Sequence, residues 1–165
     1  MSLSRPHPVW SSAHSNPYEV NKAIIQARML SGRYRTERLC RFWSSNPNGS
    51  CLLPSCSDAN MSDDIRHILI ECPSLSPARG RLISFCEKLA DDHPILRKLI
   101  FQFLYTSSTP FQTQFLLDCS SLACVIELQQ SYGFYVLDRL FYLSRTWCYS
   151  IHRDRLRLLE RWKFL

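Results

Sequence analysis

The spacing Cys51-x4-Cys56-x10-His67-x4-Cys72 constrains this chain more than any other feature. Two close pairs joined by a longer loop can enclose one tetrahedral ion. Each pair bends the backbone around one edge of the metal, and the loop brings the edges together. Three thiolates and one imidazole are a common structural set for zinc, and four protein ligands leave no position for a catalytic water. The spacing therefore predicts one structural zinc ion on Cys51, Cys56, His67 and Cys72. The competing reading is four unrelated side chains, three buried thiols and a surface histidine. Gaps of this length are less diagnostic than paired C-x2-C.

Local sequence supports the bends. Pro54 favours a tight turn inside the first pair. Residues 63–71 read as a short helix with acidic residues in its first turn. On a regular helix, positions 67 and 72 would point roughly 140° apart, which does not suit a shared ion. Pro73 offers relief, because a residue before proline is pushed off helical angles. Cys72 would then lie just past the helix end and fold back toward His67.

Eight cysteines are many for 165 residues. The opening MSLSRPHPVW has neither the basic region nor the apolar run of a signal peptide. A reducing, intracellular setting (nuclear, cytoplasmic or both) is therefore expected, where clustered cysteines are more often ligands than disulfides. A secreted disulfide protein is disfavoured on the same ground. No apolar run approaches the ~18–20 residues of a membrane span, so no membrane partner is expected.

With 45% hydrophobic and 21% charged residues, only 4 Gly and little strict alternation, the chain reads as folded and mostly α. The expected layout is an unstructured leader over 1–17, a zinc-centred module with flanking helices over 18–90, and a bundle-like helical region over 91–165. A helix from Asn21 carries Ile24, Ala27 and Leu30 on one face and stops at Ser31-Gly32. Residues 44–50 are a loop. Helices follow through Leu82, Phe85, Cys86 and Leu89 to about Ala90, and from Pro94 to about residue 105. After a loop at 106–110, one amphipathic helix runs through Phe111, Phe115, Cys119, Leu122, Ile126 and Gln129. Another begins at Phe134 with Leu137, Phe141 and Cys148, and a basic stretch from 150 to 165 continues or follows it. Cys86, Cys119, Cys124 and Cys148 read as small core residues.

Charge is uneven. The net value is +6 overall, split as +5 over 1–56, −2 over 57–118 and +3 over 119–165. Arg28, Arg33, Arg35, Arg38 and Arg41 alternate with Tyr34, Phe42 and Trp43. Guanidinium groups pair with phosphates and aromatic faces stack on unpaired bases. The alternative is a solvated segment whose aromatics pack under the metal loop. A second row, Arg153, Arg157 and Arg161, repeats at steps of four. Pairing with Asp154 and Glu160 explains this row better than phosphate binding does.

The segments MLSGRYRTERL (29–39), CLLPSC (51–56) and IRHILIECPSLSPARGRL (65–82) resemble the region downstream of the polymerase domain in LINE-type (non-LTR) retrotransposon reverse transcriptases. That region shows a Leu-(Ser/Thr)-Gly helix end, a cysteine pair, then His-(Ile/Leu)-Leu-x-x-Cys-Pro. The resemblance covers residues 21 to about 85. It implies a CCHC zinc-knuckle-like module that helps the enzyme hold RNA template or target DNA, with Cys51, Cys56, His67 and Cys72 as ligands and the element's polymerase domain as a further partner. The central loop is longer than in the compact retroviral knuckle, so that knuckle's base-gripping geometry is not carried over. Leu89-Ala-Asp-Asp92 is not a polymerase metal site, since its first position is not aromatic and no third carboxylate motif lies upstream. Two functions therefore compete: a nucleic-acid-binding accessory module without catalysis of its own, and a zinc-built protein-interaction scaffold.

Overall fold

The longest apolar stripe in the sequence forms the spine of the molecule. In the computed structural model, which describes residues 7–11, 16–42, 45–56, 61–90 and 93–162, helix α8 spans Phe134–Trp162. At 1.5 Å per residue it is about 44 Å long. Leu137, Leu140, Phe141, Leu143, Trp147, Cys148 and Ile151 are buried along it. Residues at these steps of three and four share one face, so a single face of α8 supplies the core. Truncating a buried aromatic such as Phe141 or Trp147 to alanine should cost about 3–5 kcal/mol. The basic stretch after residue 150 continues α8 without a break.

Five other helices pack on that spine: α1 (Pro8–Ser11), α2 (Pro17–Leu30), α4 (Ser76–Ala90), α6 (Thr109–Leu117) and α7 (Ala123–Tyr132). The short α3 (Glu37–Cys40) and α5 (Pro94–Phe101) complete the set, with a π-helical turn, Gln102–Thr106, extending α5. Among the described residues there is no strand, only one isolated bridge, Ser50 to Ser62. The fold is a helical, bundle-like assembly. One core cluster takes in Cys51, Leu53, Ile68 and Leu75 together with Leu96, Phe103, Phe115 and Leu140. The Trp147 indole donates to the Leu69 carbonyl at 3.4 Å, joining the two halves. No described helix is long and apolar enough to cross a membrane.

Three expectations need correction. The leader is not unstructured throughout. Pro8–Ser11 is helical, Val9 is buried, and its carbonyl accepts from Arg145 at 3.4 Å; apart from His7, the other leader positions before residue 16 lie outside the described residues. Helix α2 begins at Pro17 rather than Asn21, because the Asn16 side chain accepts from the Tyr18 amide at 2.9 Å and Pro17 occupies the first turn. Its end at Ser31, followed by Gly32 at φ +68°, is where the sequence indicated.

The single amphipathic helix drawn through 111–129 is two helices. Asp118 is extended, and its Oδ1 accepts from both the amide and the hydroxyl of Ser120. A short acidic side chain that bonds local backbone competes with helix continuation, so the chain turns between α6 and α7. Ile126 is consequently exposed while Val125 is buried.

Candidate metal centre and basic cleft

The first ligand pair is set by two local devices. The Cys51 amide donates to the Met61 carbonyl at 2.7 Å and the Asp63 amide to the Gly49 carbonyl at 2.9 Å, so the two ends of the central loop lie side by side. Gly49 has φ +62°, and a Cβ there would meet the Arg38 Cα at 2.7 Å, so this crossing demands glycine. Then the Cys56 amide donates to the Leu53 carbonyl at 2.9 Å, closing a tight turn over Pro54. That turn brings Cys56 back beside Cys51.

The second pair is set by an unusual turn. Residues 63–71 do not form a regular helix. Asp63 precedes the helical turns and is fully buried. The Asp64 Oδ1 accepts from the His67 amide at 2.9 Å. His67–Glu71 is then a π-helical turn, in which the Cys72 amide donates to the His67 carbonyl at 2.7 Å. An i→i+5 bond widens the turn, so positions five apart fall nearly above one another. This resolves the mismatch that regular helical geometry imposes. Cys72 itself has ψ 115°, the extended value that Pro73 requires, and the chain leaves the turn there.

The Sγ atoms of Cys51, Cys56 and Cys72 and a ring nitrogen of His67 all lie within 4.8 Å of one another, and all four residues are buried. Cys56 Sγ is 3.5 Å from both His67 Nε2 and Cys72 Sγ. That is far too long for a disulfide, and all three cysteines are free. Leu53, Ile68, Leu69 and Leu75, close to them in sequence, are buried in the same core cluster. The donor set suits one soft or borderline cation.

The electrostatics point the same way. A hydrogen bond from the Cys51 thiol, aided by His67 and Cys56 and opposed by burial, pulls Cys72 down to about 4. Cys51 is pushed up by that same bond to Cys72 and then by burial. Burial first, then Cys72, raises Cys56. One thiolate is thus stabilised by sharing protons with its neighbours, and a cation at the common point would stabilise all three.

Arg79, which sequence reasoning did not single out, supplies nearby positive charge. Its Nη2 donates to the Cys72 carbonyl at 2.6 Å. Burial lowers the pKa of this guanidinium, while the Cys72 and Cys56 sulfurs act in the opposite direction. The register from Cys72 into α4 depends on the short 3-10 turn Pro73–Leu75, so the residue facing back toward the ligands was not readable in advance. His67 presents Nε2 to the cluster, leaving Nδ1 buried without a hydrogen-bond partner among the described residues.

The candidate nucleic-acid residues divide. Arg28, Arg33 and Arg35 are exposed and line one cleft of about 450 Å³. Arg38 is tied to Asp64 at 3.1 Å, and Arg41 lies over the Phe42 ring at 4.7 Å. Phe42 is 75% exposed. Tyr34, expected to stack on bases, is only 5% exposed. Its hydroxyl bonds the His152 Nδ1 at 2.9 Å, so its ring belongs to the core. Trp43 lies outside the described residues. In the second row Arg153 and Arg161 are exposed, while Arg157 pairs with Asp154 at 3.5 Å. That agrees with the pairing expected for Asp154, which also accepts from Arg81.

Arg155, in the same helix but absent from either candidate set, joins the two regions. Its Nη2 lies 2.7 Å from Asp63 Oδ2 in a buried ion pair, and the same carboxylate oxygen accepts from the Glu37 amide at 2.6 Å. Asp63 belongs to the metal-loop segment and Arg155 to the cleft wall. No protein-family model, no curated protein and no solved structure matches this chain.

Proposed function

We propose that this chain is a zinc-stabilised, nucleic-acid-binding accessory module of a non-LTR retrotransposon reverse transcriptase, with no polymerase or endonuclease activity of its own. The observation that carries the metal-binding part of the reading is the convergence of Cys51, Cys56, His67 and Cys72 on one buried point. Zinc fits that point. Its bonds to sulfur of about 2.3 Å imply ligand–ligand edges of about 3.8 Å in a tetrahedron, close to the 3.5 Å separations at Cys56. The resemblance of residues 29–39, 51–56 and 65–82 to the reverse transcriptase tail supports the assignment of partner, RNA or DNA of the element or its target. The +6 net charge and the exposed Arg28, Arg33 and Arg35 are consistent with a polyanion.

The test has two parts. Metal analysis of the purified protein should find about one zinc per chain. Binding to a labelled single strand should weaken steeply with salt, because phosphate contacts release counterions. A protein that carries zinc but binds neither RNA nor DNA at low salt would be the scaffold instead. That second reading has its own support in the exposed Phe101, Tyr105, Tyr132, Phe134 and Tyr135, large apolar side chains suited to a partner chain.

A further inference from the structure

The cleft beside the metal loop has a mixed chemistry that narrows its occupant. Its walls come from α2, segment 33–37, the Cys51–Cys56 turn and the last turns of α8. The guanidinium groups of Arg28, Arg33 and Arg35 line it with no ion pair or hydrogen bond among the described residues. Three cations that line one cleft and pair with no carboxylate repel one another, and an anion placed among them relieves that repulsion. Apolar surface meets them: Leu52 and Leu156 are each 41% exposed into the same cleft. Glu37 and Glu160 also line it.

Each component excludes an alternative. A string of carboxylates, as in an acidic peptide, would satisfy the arginines but has no flat apolar face, so it would leave both leucines wet. A duplex presents phosphates but keeps its bases stacked inside, so the apolar surface would again go uncovered. An unpaired nucleotide answers all three features. Its phosphate takes the arginines, its base covers the leucines, and carboxylates accept hydrogen bonds from exocyclic amino groups.

We propose that this cleft seats an unpaired nucleotide of single-stranded RNA or DNA, phosphates on Arg28, Arg33 and Arg35 and base against Leu52 and Leu156. The inference rests on the nucleic-acid reading above and adds where the strand lies and why it is single. The wall is rigid. Asp63 fixes Arg155, and Tyr34 fixes His152. Burial, and then the charges of Arg155 and Arg28, hold the His152 imidazole below its ordinary value, so it stays a neutral partner of Tyr34. Leu52 sits within the cysteine turn, which makes the metal loop part of the nucleotide seat.

The test compares fluorescence anisotropy of labelled oligo(C), oligo(dC) and a blunt duplex with the full chain at low salt, with polyglutamate as competitor. The full chain should prefer single strands to the duplex, and polyglutamate should compete poorly. Combined Arg28→Ala, Arg33→Ala and Arg35→Ala should flatten the salt dependence by about two in log–log slope, the share of three lost phosphate contacts on a single strand. Leu156→Ala, which removes apolar surface without adding charge, should weaken single-strand binding about tenfold while leaving duplex binding unchanged. Unaltered metal content and helicity in both variants would exclude misfolding. If the full chain binds strands but both variants bind them equally well, or if the duplex binds as tightly as the single strand, the cleft assignment is wrong and nucleic-acid binding stands. If polyglutamate binds and no oligonucleotide does, both fail.

Discussion

The metal centre and the basic cleft share the Cys51–Cys56 turn, yet they are organised in opposite ways. In the centre, four ligand residues from a short stretch of sequence are buried, with their donor atoms within 4.8 Å of one another. In the cleft, residues from positions 25 to 160 are brought together only by the packing of α8, and the functional groups remain open to solvent. The difference teaches where stability resides. Thiolates are costly to bury without a cation, so metal bound there would be coupled to folding. Exposed arginines contribute little to folding, so their substitution should change binding and leave the structure intact.

The largest effect should therefore come from the centre. His67→Ala or Cys56→Ser should abolish stoichiometric metal and cooperative thermal unfolding together, since structural zinc supplies on the order of 10 kcal/mol of folding free energy in small domains. Metal analysis and circular dichroism melting would read this. A variant that melts like the parent without metal would break the distinction between a folding-coupled centre and a passive cleft.

The next largest should fall on the link between the regions. Asp63→Ala leaves Arg155 buried without its carboxylate, and removing one partner of a buried pair costs about 3–5 kcal/mol. Chemical denaturation would measure it. Equal stability would mean that Arg155 finds solvent, and that the cleft wall is looser than its contacts indicate.

Arg79→Met should act on the centre alone. Loss of its bond to the Cys72 carbonyl, and of positive charge beside the sulfurs, should lower metal affinity about 10- to 100-fold, as for other groups that support ligands from outside. Competition with a chromophoric chelator would show it, with oligonucleotide binding at saturating zinc unchanged.

The smallest effect lies away from both regions, at the turn between α6 and α7. Burial alone would raise the Asp118 pKa, but bonds from Ser120 and the nearby His7 hold it below the ordinary carboxylate value. A carboxyl depressed on folding contributes stability above its unfolded value of about 3.9, and that contribution is lost as pH falls through the lower folded value. Asp118→Asn should remove this component of the acid dependence below about pH 4, leaving metal content at neutral pH as it was. Thermal melts across that range would test it.

Some of this was legible from residue order. The helix stop at Ser31-Gly32, the extended Cys72 before Pro73 and the apolar face from Phe134 follow from local rules, because each depends on backbone preferences within a few residues. Asn16-Pro17 was an equally local start signal that sequence reading passed over in favour of the apolar pattern. The break at Asp118 was harder. Apolar spacing ran straight through it, and a single aspartate bonding Ser120 outweighed the pattern.

The sequence by itself determined the chemistry: three thiols and an imidazole at a spacing that allows one ion, an excess of arginine, and enough apolar helix to build a core. Tertiary structure decided how those groups are used. Tyr34 became a core residue, Arg155 a buried counter-ion and Arg79 a neighbour of the ligands, while Arg28, Arg33 and Arg35 were left open. Side-chain identity fixes what a group can bind. Whether it meets solvent, a carboxylate or a sulfur depends on distant segments, and only chain packing brings those together.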